Sequence, residues 1–220
     1  TSGAGAEWAQ QAKLTPSDVG KAGDKFGWDI KLNTAATTAI VSAKDHDTGG
    51  VRTGQTYVFT RSGTTWSQQA MLQPAGLGSN NYSGNAISIS SSGNYIGICV
   101  QNQDNPDGYV GVVYVFKKVG STWVEHAKLY PNDSNSNSRF ASSIVIDDDF
   151  LAVGDYGGNI TGVTNIGVVY FWKRSGETWT QINKINAFDT SYGTSGGLSF
   201  GNLNSLDFDG NDILVGAYKA

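Results

Sequence analysis

The sequence predicts an all-β chain organised as an array of β-propeller blades, each of four antiparallel strands, on three observations. A tryptophan recurs at a nearly fixed step: Trp8, Trp66, Trp123 and Trp179 lie 58, 57 and 56 residues apart. A Gly-x-x-Tyr-x-aromatic element recurs in phase with it, at residues 54–59, 111–116 and 167–172. Helical periodicity is absent, and short apolar runs alternate with glycine-rich turns throughout. Self-similarity at a fixed period decides the architecture before any local signal does. A unit of this length, made of short strands, matches one four-stranded propeller blade.

Each strand of the unit has its own signature. After the tryptophan comes alternation: Trp66, Gln68, Ala70 and Leu72 point one way, Ser67, Gln69 and Met71 the other. Period two marks a strand with one face more buried than the other. A polar loop then leads to an aromatic start, as in Phe26-Gly27-Trp28 and Phe140-Ala141-Ser142. After a short turn, an apolar run ends in small residues: 39–43, 150–154 and 213–217. Runs so short and continuously apolar read as strands buried on both faces. A second polar loop leads to the Gly-x-x-Tyr-x-aromatic strand. That strand turns through a glycine (Gly63, Gly120, Gly176) into the next tryptophan strand, the positive φ of a tight hairpin being cheap for glycine.

This phasing gives complete blades at about 26–72, 82–129 and 140–185, and a split blade of 8–14 plus 200–217 that lacks its Gly-x-x-Tyr-x-aromatic strand. The longer loops (15–25, 73–81, 130–139, 186–199 and 44–53, 101–110, 155–166) all emerge at one end of the blades, the tight turns at the other. Long loops cost ordering entropy and are uncommon without a use, so the long-loop face is where function is expected.

Composition narrows the field. Charged residues make up 15%, against roughly 25% in typical soluble domains. The net charge is −4, and no basic stripe exists to neutralise a run of phosphates, so no nucleic-acid partner is expected. No apolar stretch reaches the ~18 residues that span a membrane, so no membrane insertion is expected. Cys99, the single cysteine, lies in an apolar run and reads as a small buried residue; no intrachain disulfide can form. The first five residues carry neither a start methionine nor an apolar signal core. The sequence is therefore expected to be processed, engineered or cut from something longer.

The Trp66-to-Leu72 strand, Phe26-Gly27, Val215-Gly216-Ala217 and the Gly54-x-x-Tyr57-Val58-Phe59 strand together resemble the FG-GAP repeat, the unit of the integrin α-chain propeller and of many bacterial and viral surface proteins. The resemblance recurs four times and covers nearly the whole chain. It implies a larger propeller of about seven blades. Two departures stand out. The Phe-Gly pair reads Tyr82-Ser83 and Phe140-Ala141 in the second and third repeats, and the Gly-Ala pair reads Ser42-Ala43, Cys99-Val100 and Gly154-Asp155 in the first three. The resemblance also implies a calcium loop before Val-Gly-Ala. Its nearest match is Asp207, Asp209, Asn211 and Asp212, short of the family's spacing. Calcium takes six to eight oxygens, so this stretch is expected to form a tight turn, no cofactor is expected, and chelation is expected to leave stability unchanged.

Catalytic patterns are weak. The Gly-x-Thr-Trp turns look like the end of the sialidase Asp-box, but Arg61, Lys118 and Arg174 stand where its Asp would be. His46 and His126 are the only histidines; His126 is expected on the less buried side of its strand. No nucleophile–base pattern appears. The chain is expected not to be an enzyme, a glycan-processing activity being the remote alternative.

What remains is binding. Tyrosines among Asn, Asp, Ser and Gly suit recognition loops, because they combine rigid apolar area with adaptable hydrogen bonding. Tyr109 and Tyr156, with Asn105, Asp107 and Asn159, are the expected ligand-binding residues. The expected role is an extracellular, cell-surface or virion-surface recognition or adhesion module that contacts a cell-surface protein or glycan. The alternative is a structural part of a viral fibre, knob or capsid decoration, held by other chains of that assembly or by further copies of itself.

Overall fold

The computed structural model describes residues 9–18, 23–48, 50–104, 110–133, 138–159, 165–186, 199–202 and 205–217. Among them every regular element is a strand. The first blade is β1 (Phe26–Leu32), β2 (Thr38–Ala43), β5 (Gln55–Ser62) and β6 (Thr65–Leu72), antiparallel and in that order. A small hairpin, β3 (Asp47–Thr48) with β4 (Val51–Arg52), stands inside the loop after β2. The second blade is β7 (Ser83–Ile89), β8 (Tyr95–Asp104), β9 (Val110–Val119) and β10 (Thr122–Leu129). The third is β11 (Phe140–Ile146), β12 (Phe150–Asp155), β13 (Val168–Ser175) and β14 (Thr178–Asn186). A fourth sheet holds only β15 (Leu206–Phe208) and β16 (Ile213–Val215).

The first strands of successive blades, β1, β7, β11 and β15, pack beside one another, and all four line one cavity of about 350 Å³. That places them innermost, around a common axis, in a propeller-like arrangement. The cavity opens among the tight turns, at Thr34, Ser91, Asp147 and Asp209, rather than at the long-loop end.

Blades are joined by apolar side chains. Ile40, Val58 and Leu72 of the first blade pack in one cluster with Ile87, Ile89 and Ile98 of the second. Ile144 and Ile146 of the third do the same against Tyr95, Cys99 and Val113 of the second. Cys99 is fully buried. The two motif glycines explain each other. Gly54, Gly111 and Gly167, each at positive φ, lie against the next blade's backbone at Ser83, Phe140 and Phe200, where a Cβ would come within 2.2–2.4 Å of a backbone atom. The partner position also turns through positive φ, at Gly27, Gly84, Ala141 and Gly201.

That geometry corrects two sequence assignments. The second repeat's counterpart of Phe26-Gly27 is Ser83-Gly84, not Tyr82-Ser83: Ser83 pairs with Val100 as Phe26 pairs with Ala43, and Gly84 has φ 85°. The positive φ, not the aromatic, is the fixed requirement. The tryptophan strand does not alternate strictly either. Each such strand bulges three residues after its tryptophan, at Gln69, His126 and Ile182, which the ladder skips. A bulge re-aims the side chain it carries. Gln69 thus reaches the next blade, where its Oε1 accepts from Trp123 Nε1 at 3.3 Å.

Two more expectations are corrected. His126 is not on a solvated side: its side chain is 8% exposed, packed edge-on to Tyr95, because the bulge turns it inward. Residues 9–14 form no strand, because no neighbouring strand pairs with them. The tryptophans occupy equivalent places but are not equally covered. Trp179 is buried, Trp66 and Trp123 are half-buried, and Trp8 lies outside the described residues.

Candidate functional site: the long-loop face of the first two blades

The strands deliver three groups to the long-loop end of the first blade: the start of β1, the turn after β2, and the start of β5. Trp28, near the start of β1, is held by a hydrogen bond from its Nε1 to Asn85 O (3.0 Å), yet the residue stays 43% exposed. Lys44 Nζ lies 4.3 Å from the Trp28 ring centroid and 5.1 Å from that of Tyr82, and Lys25 Nζ 5.4 Å from Trp28. Cations over aromatic faces at these distances are attracted by the ring quadrupole. Asp45 anchors both lysines, at 2.8 Å from Lys25 and 3.4 Å from Lys44. Burial pushes the Asp45 carboxyl up, but the hydrogen bond from Lys25 and the two ammonium charges outweigh it and hold the pKa below the ordinary value. The result is a fixed platform of two aromatic rings bridged by lysine.

Beside it lies a polar cluster built from two loops and the start of β5. His46 Nδ1 is 3.2 Å from Asp24 Oδ2, and its Nε2 is 3.5 Å from Asp18 Oδ2. The Tyr57 hydroxyl donates to Asp18 Oδ2 at 3.0 Å. Burial first, then the Asp18 carboxylate, raise the Tyr57 pKa well above its ordinary value, so the hydroxyl stays a donor. This Tyr is the motif tyrosine, and Asp18 lies four residues after Leu14. Asp133 lies four after Leu129 and is one of the charges that, after burial, raises the third blade's Tyr170. The cluster can orient a polar ligand. No serine, threonine or cysteine nucleophile is hydrogen-bonded to His46 among the described residues.

The expected binding residues fare unevenly. Tyr109, Asn105 and Asp107 lie outside the described residues. Tyr156 and Asn159 share one loop of the third blade and are both half-buried. Asn159 Oδ1 accepts from Asn165 N (2.7 Å), which ties the loop's two ends together. Tyr156 follows Asp155, which is fully buried and accepts from Ser138 Oγ (2.7 Å), Arg139 N (2.6 Å) and Gly157 N (3.2 Å). Burial nevertheless raises the Asp155 pKa. The structure therefore gives the third-blade loop a rigid base, and gives the first two blades an aromatic platform in which Tyr82 was a candidate from the sequence and Trp28 was not. Trp28 was legible only as part of a strand. Its exposure depends on the bulged start of β1, which breaks alternation between Phe26 and Ile30.

Asp207, Asp209, Asn211 and Asp212 lie at the opposite end. Asp207 is on β15, and the rest form the turn into β16. Asp209 Oδ1 accepts from Asn211 N (2.9 Å) and Asp212 N (2.8 Å), which lowers its pKa. Among the described residues no three His, Cys, Asp or Glu side chains are grouped to hold a metal ion.

The model of the FG-GAP repeat matches residues 8–59 and 123–171. Each match runs from a tryptophan position to the end of the Gly-x-x-Tyr-x-aromatic strand or one residue short of it; the unmatched stretch between contains Ser83, where the other repeats have Phe. No curated protein matches by sequence. Solved structures similar to the chain include TolB from Acinetobacter baumannii (TM-score 0.37, 12% identity, 70% of this chain and 32% of that one). Another is the Pseudomonas aeruginosa periplasmic gluconolactonase PpgL (TM-score 0.43, 11% identity, 86% of this chain and 64% of that one). The chain thus spans less than two thirds of the length of either.

Proposed function

We propose that this FG-GAP repeat chain is a non-enzymatic recognition module, working outside the cell or on a virion, that contacts a cell-surface protein or glycan through its long-loop face. The observation that carries the reading is Trp28: a tryptophan pinned by its own Nε1, 43% exposed, and flanked by Tyr82, Lys25 and Lys44. Aromatic anchors held in place carry a disproportionate share of interface energy. The Asp18–Asp24–His46 cluster supplies polar groups beside it. Binding to a glycan array and to intact cells tests the reading. Trp28→Ala with Tyr82→Ala should abolish capture while leaving the melting curve nearly unchanged. Capture that survives both substitutions refutes it.

The exposed apolar side chains of β1 favour a second reading, a structural part of a larger surface assembly. Ile30 and Leu32 are 57% and 54% exposed, whereas their counterparts Ile87 and Ile89 are 0% and 7% exposed.

A further inference from the structure

We propose that the junction between the second and third blades is an acid-sensitive latch. Neutral His126 closes it onto Trp179, and protonation of His126 releases it locally while both blades stay folded. The device lies near the tight turns and is independent of recognition at the long-loop face.

A change of residue type at a repeated contact carries the proposal. The residue three after one tryptophan meets the tryptophan of the next repeat. Gln11 Oε1 accepts from Trp66 Nε1 at 3.2 Å, and Gln69 Oε1 from Trp123 Nε1 at 3.3 Å. The third such residue is His126, and its tryptophan is Trp179. A glutamine oxygen accepts at every pH, whereas an imidazole nitrogen keeps its lone pair only while the ring is neutral. Both partners are in place. His126 and Trp179 each pack edge-on to Tyr95, with ring centroids 6.0 and 6.2 Å from it. Both are nine-tenths covered. His126 Nε2 and Trp179 Nε1 are buried, and among the described residues neither has a hydrogen-bond partner. Buried polar groups are rarely left unpaired. An acceptor and a donor set against one ring complete each other, directly or through one enclosed water.

The charged groups around the imidazole come from three elements. Glu177 Oε2, in the turn between β13 and β14, lies 3.6 Å from His126 Nδ1. That carboxylate holds the neutral ring's proton on Nδ1 and leaves the lone pair on Nε2. Lys117, on β9, pairs with Glu177 at 2.6 and 2.8 Å from its two oxygens. Arg174, on β13, lies 4.8 Å over the Tyr95 ring. Burial, with Lys117 and Arg174, disfavours the charged imidazole against the pull of Glu177. Protonation puts an N–H on Nε2. Two buried donors, Nε2 and Trp179 Nε1, then lack an acceptor, and a third cation joins Lys117 and Arg174. Leaving buried donors unpaired is costly, and the junction relieves the cost by admitting water between His126 and Trp179.

The test is nuclear magnetic resonance on the whole chain between pH 7.5 and 4. The indole N–H signals of Trp123 and Trp179 are assigned by their loss in Trp123→Phe and Trp179→Phe. Their hydrogen-exchange rates are compared within one sample, so the intrinsic pH dependence cancels. The Trp179-to-Trp123 ratio should rise about tenfold on acidification, equivalent to about 1.4 kcal/mol. The rise should share its midpoint with the His126 ring signal. His126→Gln, which installs the residue of the other junctions, should make the ratio independent of pH. Glu177→Gln should move the midpoint to lower pH. A ratio that stays constant while His126 titrates overturns the proposal, as does a His126 that does not titrate in the folded chain. A rise that persists in His126→Gln overturns it too. Equal acceleration of both indoles also overturns it, assigning the change to unfolding of the whole chain.

Discussion

Two residues show how closely each repeat position is specified. Gly111 has φ 113°, and a Cβ there would lie 2.3 Å from Phe140 O. Gly120 also has positive φ, but open space around it. Gly111→Ala should cost about 2–4 kcal/mol, summing backbone strain and overpacking, and Gly120→Ala only about 1 kcal/mol. Urea denaturation of both measures the difference; equal costs would mean that the inter-blade backbone contact is not as described. His126 is the other case. It takes the bulge position that Gln69 holds one blade earlier. Its Nε2 and Trp179 Nε1 are both buried without a hydrogen-bond partner, and both rings pack edge-on to Tyr95. Burial lowers its pKa, against the opposing pull of Glu177. The folded chain therefore binds the proton less readily than the unfolded one, whose imidazole titrates near about 6.5. Its contribution is full above that pH and is lost as pH falls through the lower folded value. His126→Gln should flatten this acid-side loss while leaving stability at pH 7 within about 1 kcal/mol. Melts from pH 7.5 to 4.5 decide it; an unchanged slope in the variant contradicts the assignment.

The elements were legible to the extent that their signals are local. The Gly-x-x-Tyr-x-aromatic strands and the apolar second strands carry continuous runs, and the structure finds them at β5, β9 and β13 and at β2, β8 and β12. What escaped are features set by neighbours. The bulge leaves no composition mark, since its three positions carry a Gln, a His and an Ile: Gln69, His126 and Ile182. The Ser83-Gly84 register was missed because Tyr82 looks like the expected aromatic, whereas the backbone selects the residue that tolerates positive φ. The contact of Asp18 with Tyr57 joins a loop to β5 and shows in the sequence only as an acid four residues past Leu14. At the same scale, the tryptophans should not be energetically equal. Trp179→Ala should cost about 3–5 kcal/mol and Trp66→Ala clearly less, because Trp66 is half-buried. Equal denaturation midpoints for the two variants would contradict the unequal burial. Chelation is expected to leave Tm unchanged, since Asp209 is occupied by its own turn; a drop of many degrees would reveal a native-state ion.

At the scale of the molecule, three full blades and a two-stranded fourth sheet surround one axis, with tight turns at one end and longer loops at the other. The rigid strands hold Trp28, Tyr82 and the His46 cluster at the long-loop end, which is the central functional claim. Face-selective blocking tests it most directly. Cys99 is fully buried, so a surface cysteine can be labelled selectively. Ser79→Cys places a thiol on an exposed long loop and Ser175→Cys one at the exposed end of β13, beside the tight turn into β14. Each variant is then coupled to a bulky maleimide polymer and its capture by intact cells is measured. The account predicts that the polymer at position 79 abolishes capture and the polymer at position 175 does not. Loss of capture with the polymer at 175, and retention with it at 79, would contradict it.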